Sequence, residues 1–316
     1  MQTYILRRLL YAVPVVLLTS LLVFGLLHLV PGDVIVAKLA DQGTVKPSDI
    51  VQMKHQYGLD KSLPEQYGIW VGRILRGDLG HSIYTGRSIN ASLRDAFPVT
   101  IELTVLAMLF GIAIGVPIGV ISAAFRGSGI DYAGRVIAIL GLSAPNFWVA
   151  SMAITYMAIW FGWIPPLTYR SFTQDPLANL EQLVLPALVI GYGLGAVIMR
   201  MTRSTLLEVL REDYVRTARA KGIGPAAVLI RHAFKNASLP VVTILGGQLA
   251  VLLGGAIIIE TIFALPGLGR LALEGLTFRD YPLVQALVMV FTIIVIGTNL
   301  LVDLSYAWLD PRIRFA

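Results

Sequence analysis

The stretch Glu212-Asp213-Tyr214-Val215-Arg216-Thr217-Ala218-Arg219-Ala220-Lys221-Gly222 is a polar segment with helical spacing, flanked by two long apolar runs. It cannot lie in lipid: one Arg at the centre of a bilayer costs about 2.5 to 3.5 kcal/mol, and here Arg216, Arg219 and Lys221 come together. The segment therefore joins two membrane spans through water. Outward from it, Ser204, Leu206, Leu207, Leu210, Tyr214, Ala218 and Ala220 keep largely to one helical stripe, while Arg211, Glu212, Arg216 and Arg219 supply polar faces. Gly222-Ile223-Gly224 breaks that helix, and Pro225 suits the first position of the next, predicted over Ala226 to Ala237. Helix, tight turn and helix would also suit a DNA reader, but both ends run into apolar spans, which fixes the unit at a membrane surface. A surface hairpin and a docking element for a partner protein both fit the pattern.

Composition agrees with a polytopic membrane protein. Hydrophobic residues make up 56% of the 316-residue chain and charged ones 14%, and the mean hydropathy is +0.74, whereas soluble domains carry roughly 25% charged residues. The formal charge of +6 reads as the basic excess that sets topology, not as a nucleic-acid surface. With no Cys, the chain has no disulfide, thiolate metal site or Cys nucleophile.

Six spans are predicted: Leu9 to Val30, Val99 to Phe125, Val136 to Phe161, Leu183 to Met201, Val241 to Phe263 and Leu283 to Leu304. The first follows Arg7-Arg8, is too long for a signal-peptide core and lacks a small-x-small cleavage site, so it reads as a transmembrane helix. Six spans put both termini on one side. Arg7, Arg8, Arg126, Arg135, the cluster from Arg200 to Lys235, Arg312 and Arg314 fall on that side, against Arg170, Arg270 and Arg279 in the short loops opposite, so both termini are expected in the cytoplasm. Pro31 to Pro98 is then external, with helices expected over Pro47 to Tyr57 and Leu63 to Leu75 and a turn at Gly77-Asp78-Leu79-Gly80. Tyr67, Trp70 and Tyr84 suit a headgroup-level surface or a packing face. The resulting division is a first helix at 1–30, an external region at 31–97, a core at 98–309 containing the loop 202–240, and a tail at 310–316.

No catalytic constellation is present. Lys38, Lys46, Lys54, Lys61, Lys221 and Lys235 all lack the Gly that precedes the Lys of a phosphate-binding loop. His28, His55, His81 and His232 are scattered with no His-Glu-x-x-His, and no Ser lies in Gly-x-Ser-x-Gly. Polar groups at membrane depth are the candidates for a pathway. Asn146 follows Pro145 inside the third span, Glu260 lies near the end of the fifth, and Asn299 and Asp303 share a face of the sixth; interhelical hydrogen bonding is the plain alternative for each. Arg200, Arg203 and Arg231 are possible cationic partners of Asp303. Gly191-x-Gly193-x-Gly195 has no strand before it and reads as close helix packing, not as a nucleotide fingerprint.

Glu212 to Gly222 followed by Arg231-His232-Ala233-Phe234-Lys235-Asn236-Ala237-Ser238-Leu239-Pro240-Val241-Val242-Thr243 resembles the coupling loop of dipeptide and oligopeptide permease subunits of bacterial ABC importers. Val30-Pro31-Gly32-Asp33, Gly77-Asp78-Leu79-Gly80, Phe97-Pro98-Val99-Thr100, Met201-Thr202-Arg203-Ser204, Glu260-Thr261-Ile262-Phe263, Pro266-Gly267-Leu268-Gly269-Arg270, Arg279-Asp280-Tyr281-Pro282 and Asp310-Pro311-Arg312-Ile313-Arg314 carry the resemblance along nearly the whole chain. Each tetrapeptide is weak alone; their order is specific. The wider importer motif Glu-Ala-Ala, with Gly four residues on, maps to Arg216-Thr217-Ala218 and Gly222, so its acidic position is basic here, and the apolar residue expected two before Leu239-Pro240 is Ala237.

The resemblance implies an all-α type I ABC importer transmembrane domain of six helices in a bacterial inner membrane, working by alternating access. It implies docking of ATPase subunits on Glu212, Asp213, Tyr214, Arg216, Thr217, Ala218, Ala220, Lys221 and Gly222. Two ATPase subunits, a second permease and an extracytoplasmic binding protein are the implied partners beside membrane lipid. ATP and Mg would sit on the ATPases, and this chain would bind no cofactor and catalyse nothing. Peptides are the implied cargo, with glutathione, nickel chelates or oligosaccharides as alternatives. A membrane anchor that transports nothing is the reading from another class.

Overall fold

Ser143-Ala144-Pro145 interrupts what the sequence presents as one apolar span. Pro145 has no N–H to donate and disfavours helical backbone at Ala144, whose ψ is 120°. In the computed structural model two helices, α5 (Gly129–Ser143) and α6 (Asn146–Phe161), therefore meet there at a bend of 97°. The structure describes residues 2–29, 47–166, 168–254 and 256–309. Val30-Pro31-Gly32-Asp33, the beginning of the expected external region with Lys38 and Lys46, and the tail with Asp310-Pro311-Arg312-Ile313-Arg314 lie outside the described residues.

The architecture is all-α. Among the described residues the sole β pairing is an isolated bridge between His81 and Ser88. Before the bent pair come α1 (Gln2–Leu29), α2 (Pro47–Tyr57), α3 (Leu63–Leu75) and α4 (Ile89–Ala124). After it come α7 (Pro176–Val209), α8 (Asp213–Ala220), α9 (Pro225–Leu253, with a π-helical stretch at Val228–Ala233), α10 (Ile257–Ile262), α11 (Leu268–Thr277) and α12 (Tyr281–Leu309). α1, α4, α7, α9 and α12 are each long and apolar enough to cross a bilayer, and α5 with α6 makes a sixth crossing if the pair counts as one. The expected fifth span is corrected: its helix starts at Pro225 and stops at Leu253, and Ile257–Ile262 is a separate short helix.

The chain divides into two compact units, residues 1–98 with 266–294 and residues 99–265 with 295–316. In the first, Tyr67 and Trp70 of α3 pack on Phe24 of α1, and the Tyr67 hydroxyl lies 2.8 Å from Ser20 Oγ. Tyr84 stacks on Phe278 at 4.0 Å. These aromatics thus serve as packing faces. The buried Asp280 carboxylate accepts from the Ser82 hydroxyl and from the Ile83 amide at 3.2 Å, fastening the 82–84 loop to the start of α12.

In the second unit α7 is the central element, with 67% of its apolar window buried against 28% or less for the other continuous spans. Small residues permit this. A Cβ at Gly115 of α4 would lie 2.5 Å from the carbonyl oxygen of Gly195, one at Gly191 would lie 2.8 Å from Phe110 Cβ, and one at Gly141 would lie 2.8 Å from Ala196 Cβ. The Gly191-x-Gly193-x-Gly195 run is accordingly a close-packing device, with Gly191 and Gly195 against α4 and Gly193 beside Asn146. Between α6 and α7 the connecting loop is pinned by polar bonds: Asn179 Nδ2 donates to Glu102 Oε2 at 2.8 Å, and Tyr169 also donates to Glu102. Burial, reinforced by the Glu102 carboxylate, pushes the Tyr169 phenol well above its ordinary pKa and keeps it a donor.

Candidate docking site

α7 ends at Val209, and a turn through Leu210-Arg211-Glu212 starts α8, the eight-residue helix Asp213–Ala220. Its termination is built from the sequence. Gly222 adopts φ +79°, its amide donates to Arg219 O at 2.9 Å, and the Ile223 amide donates to Ala218 O at 3.3 Å. This is a Schellman closure, in which the left-handed residue following the cap favours Gly. Ile223 completes it by joining the apolar cluster of Val215, Ala218 and Val228, together with Val209 and Leu210.

The inward face of α8 is therefore Val215 and Ala218, at 0% and 6% exposure. The stripe expected from sequence ran through Tyr214, Ala218 and Ala220; the break after Val209 resets the helical phase, so Tyr214 and Ala220 face outward instead. Ala218 is covered by this chain's own residues and positions the helix. Glu212, Asp213, Tyr214, Arg216, Thr217, Ala220, Lys221 and Gly222 are all exposed. Tyr214 is tied down at its tip, accepting from Asn236 Nδ2 at 2.8 Å and donating to His232 O at 3.3 Å, so the ring stands between α8 and α9. Arg216 lies 3.3 Å from Asp213 on the open surface, where such a pair contributes little.

The four pathway candidates fall in different surroundings. Glu260 is fully buried and accepts from Thr100 Oγ1 at 2.8 Å, an interhelical bond to α4 of the kind that the sequence offered as the plain alternative. Asn146 and Asn299 are exposed, and Asp303 is half-buried. Of the cations considered for Asp303, Arg203 is committed to Asp131 at 2.7 Å, while Arg200 and Arg231 are exposed. Sequence reasoning missed Asp131, although Ser128-Gly129-Ile130-Asp131 has capping-box spacing. It also passed over Asp280, whose contacts run to residues about 200 positions away, as its separation of 198 from Ser82 indicates.

Comparison with known proteins identifies the family. The model of the binding-protein-dependent transport system inner membrane component family matches residues 115–315, and the model of that family's N-terminal region matches residues 1–104. The chain is 39% identical over 336 residues to the dipeptide transport system permease protein DppB of Alkalihalophilus pseudofirmus, covering 100% of both chains. It is 40% identical over 334 residues to the di/tripeptide transport system permease protein DppB of Pseudomonas aeruginosa, covering 99% of both. It is 38% identical over 315 residues to the glutathione transport system permease protein GsiC of Pectobacterium atrosepticum, again covering 100% of both. Among solved structures, the inward-facing MetNI methionine ABC transporter shares the fold at TM-score 0.53 and 20% identity, covering 69% of this chain and 96% of that one. An amino acid ABC transporter solved with histidines does so at 0.53 and 16%, covering 75% and 96%. With both family models matched along almost its whole length, this multi-pass chain belongs to the binding-protein-dependent transport system inner membrane components.

Proposed function

We propose that this chain is the permease subunit of an ABC importer for short peptides, and that the exposed face of Glu212 to Gly222 is the surface on which a separate ATPase subunit docks. The observation that carries the docking reading is the build of α8: its Val215 and Ala218 face is anchored, its end is closed by Gly222, and its remaining surface stays open. ATP and Mg belong to the ATPase subunits, two per transporter, and this chain takes the mechanical output. A second, related permease completes the pore, a binding protein delivers cargo from outside, and both termini face the cytoplasm with the basic loops. The dipeptide and di/tripeptide relatives at 39% and 40% identity favour peptide cargo.

Glutathione, itself a tripeptide, is the second reading, because a glutathione permease is 38% identical over the full length. Both are tested by reconstituting the permeases with their ATPase subunits and binding protein in liposomes and measuring ATP-dependent uptake of labelled dipeptides, tripeptides and glutathione. Uptake of dipeptides is the expected result; uptake of none of the three overturns the cargo assignment. Gly222→Trp is expected to abolish cargo-stimulated ATP turnover while insertion persists, and full stimulation in that variant overturns the docking assignment.

A further inference from the structure

A second buried aspartate lies where three helices meet, and docking alone gives it no role. Asp131, 1% exposed at the third position of α5, accepts from Arg203 Nε at 2.7 Å and Arg203 Nη2 at 2.9 Å. It also accepts from Ser122 Oγ at 2.6 Å and from the Gly127 amide at 2.9 Å, while Arg135 Nε lies 3.7 Å away. One carboxylate thus binds α4 through Ser122, the turn between α4 and α5 through Gly127, and α7 through Arg203.

From this corner the packing runs unbroken to α8. One turn along α7 from Arg203, Leu206 packs with Ala123, Ala233 and Ala237. Val209 and Leu210 belong both to that cluster and to the one around Val215 and Ala218. Apolar contacts between helices in a membrane gain no hydrophobic driving force, since lipid tails are as apolar as Leu. A bidentate guanidinium and carboxylate pair fixes both distance and angle.

We infer that Asp131 and Arg203 form the positioning pair that makes the α4–α5 corner move as one body with the docking helix, so that displacement of α8 reaches the spans and is not lost as slippage along α7. The inference rests on the docking reading above and deepens it. Each residue acts through the helices that it joins.

This chain has no Cys, so introduced thiols report without background from it once any thiols of the partner subunits are removed. In the reconstituted transporter, spin labels at Arg126→Cys, beside Gly127, and Arg211→Cys, beside α8, are expected to keep their separation within about 2 Å between the nucleotide-free and vanadate-trapped states. A larger change overturns the inference, and this arm leaves the pair itself intact. Asp131→Asn and Arg203→Lys are then expected to lower cargo moved per ATP hydrolysed about tenfold while the ATPase subunits still co-purify. An unchanged ratio in the variant that assembles overturns the inference and leaves a merely structural pair. Failure of the docking reading is separately visible, because Gly222→Trp would then keep full stimulation while the label distance and the transport ratio report on the pair alone.

Discussion

Within one stretch of chain, α7 and α8 solve opposite problems. α7 is the most buried span of its unit and makes its closest backbone approaches where side chains are absent, at Gly191 and Gly195. α8 is only eight residues long, sinks Val215 and Ala218, and leaves its charged residues and Ala220 in the open. Position is enforced differently in the two: by steric fit and one buried ion pair in α7, by a left-handed Gly and a small apolar anchor in α8. A substitution at a buried contact of α7 is therefore expected to act on the fold, and one on the outer surface of α8 on the partner proposed to dock there.

The largest test of that contrast is Arg203→Ala. It leaves Asp131 buried without its guanidinium, and breaking such a pair costs about 3 to 5 kcal/mol. The variant is expected to show a strongly lowered unfolding midpoint in nanodiscs; an unchanged midpoint would mean that the Asp131 corner is solvated. Next comes Gly115→Ala, whose new methyl would meet the Gly195 carbonyl oxygen, a backbone atom that cannot swing away. Overpacking of this kind costs about 1 to 3 kcal/mol, and it should appear as lost thermal stability before any loss of ATPase binding. Wild-type stability would show that α4 and α7 are not in close contact.

Gly222→Ala lies on the other side of the comparison. Holding Ala at φ +79° costs about 1 kcal/mol, so the midpoint should move little while ATPase stimulation drops, because the end of the docking surface is displaced. Equal losses in both measurements would erase the distinction between the two regions. The smallest expected effect is that of Arg216→Ala. Its exposed pair with Asp213 contributes at most about 0.5 kcal/mol, so thermal unfolding should not register it. Any clear effect should appear as a weakened, salt-dependent association with the ATPase subunit.

Much of this was legible in the residues. Charge density marked 212–222 as an exposed segment, Gly222 marked the helix end, and the apolar runs located most of the spans. The bend at Ala144-Pro145 was marked by the proline but read through, because the apolar run continues on both sides and composition alone does not separate a span from two half-spans. The face of α8 was misassigned because a stripe was extended across Leu210 to Glu212, where the helix stops. For Glu260 the sequence offered an interhelical bond without its partner, because nothing in it points to Thr100, 160 positions away.

By itself, then, the sequence determined what depends on local chemistry: which segments prefer lipid, where the short polar helix α8 ends, and which motifs the chain shares with its family. Only the tertiary structure decided the pairings of the buried carboxylates, Asp131 with Arg203, Glu260 with Thr100 and Asp280 with the 82–84 loop. The same holds for which glycines touch a neighbouring backbone. The physical reason is that a buried charge or a missing side chain takes its meaning from whatever packs against it, and that neighbour is chosen by the fold of distant segments and not by spacing along the chain.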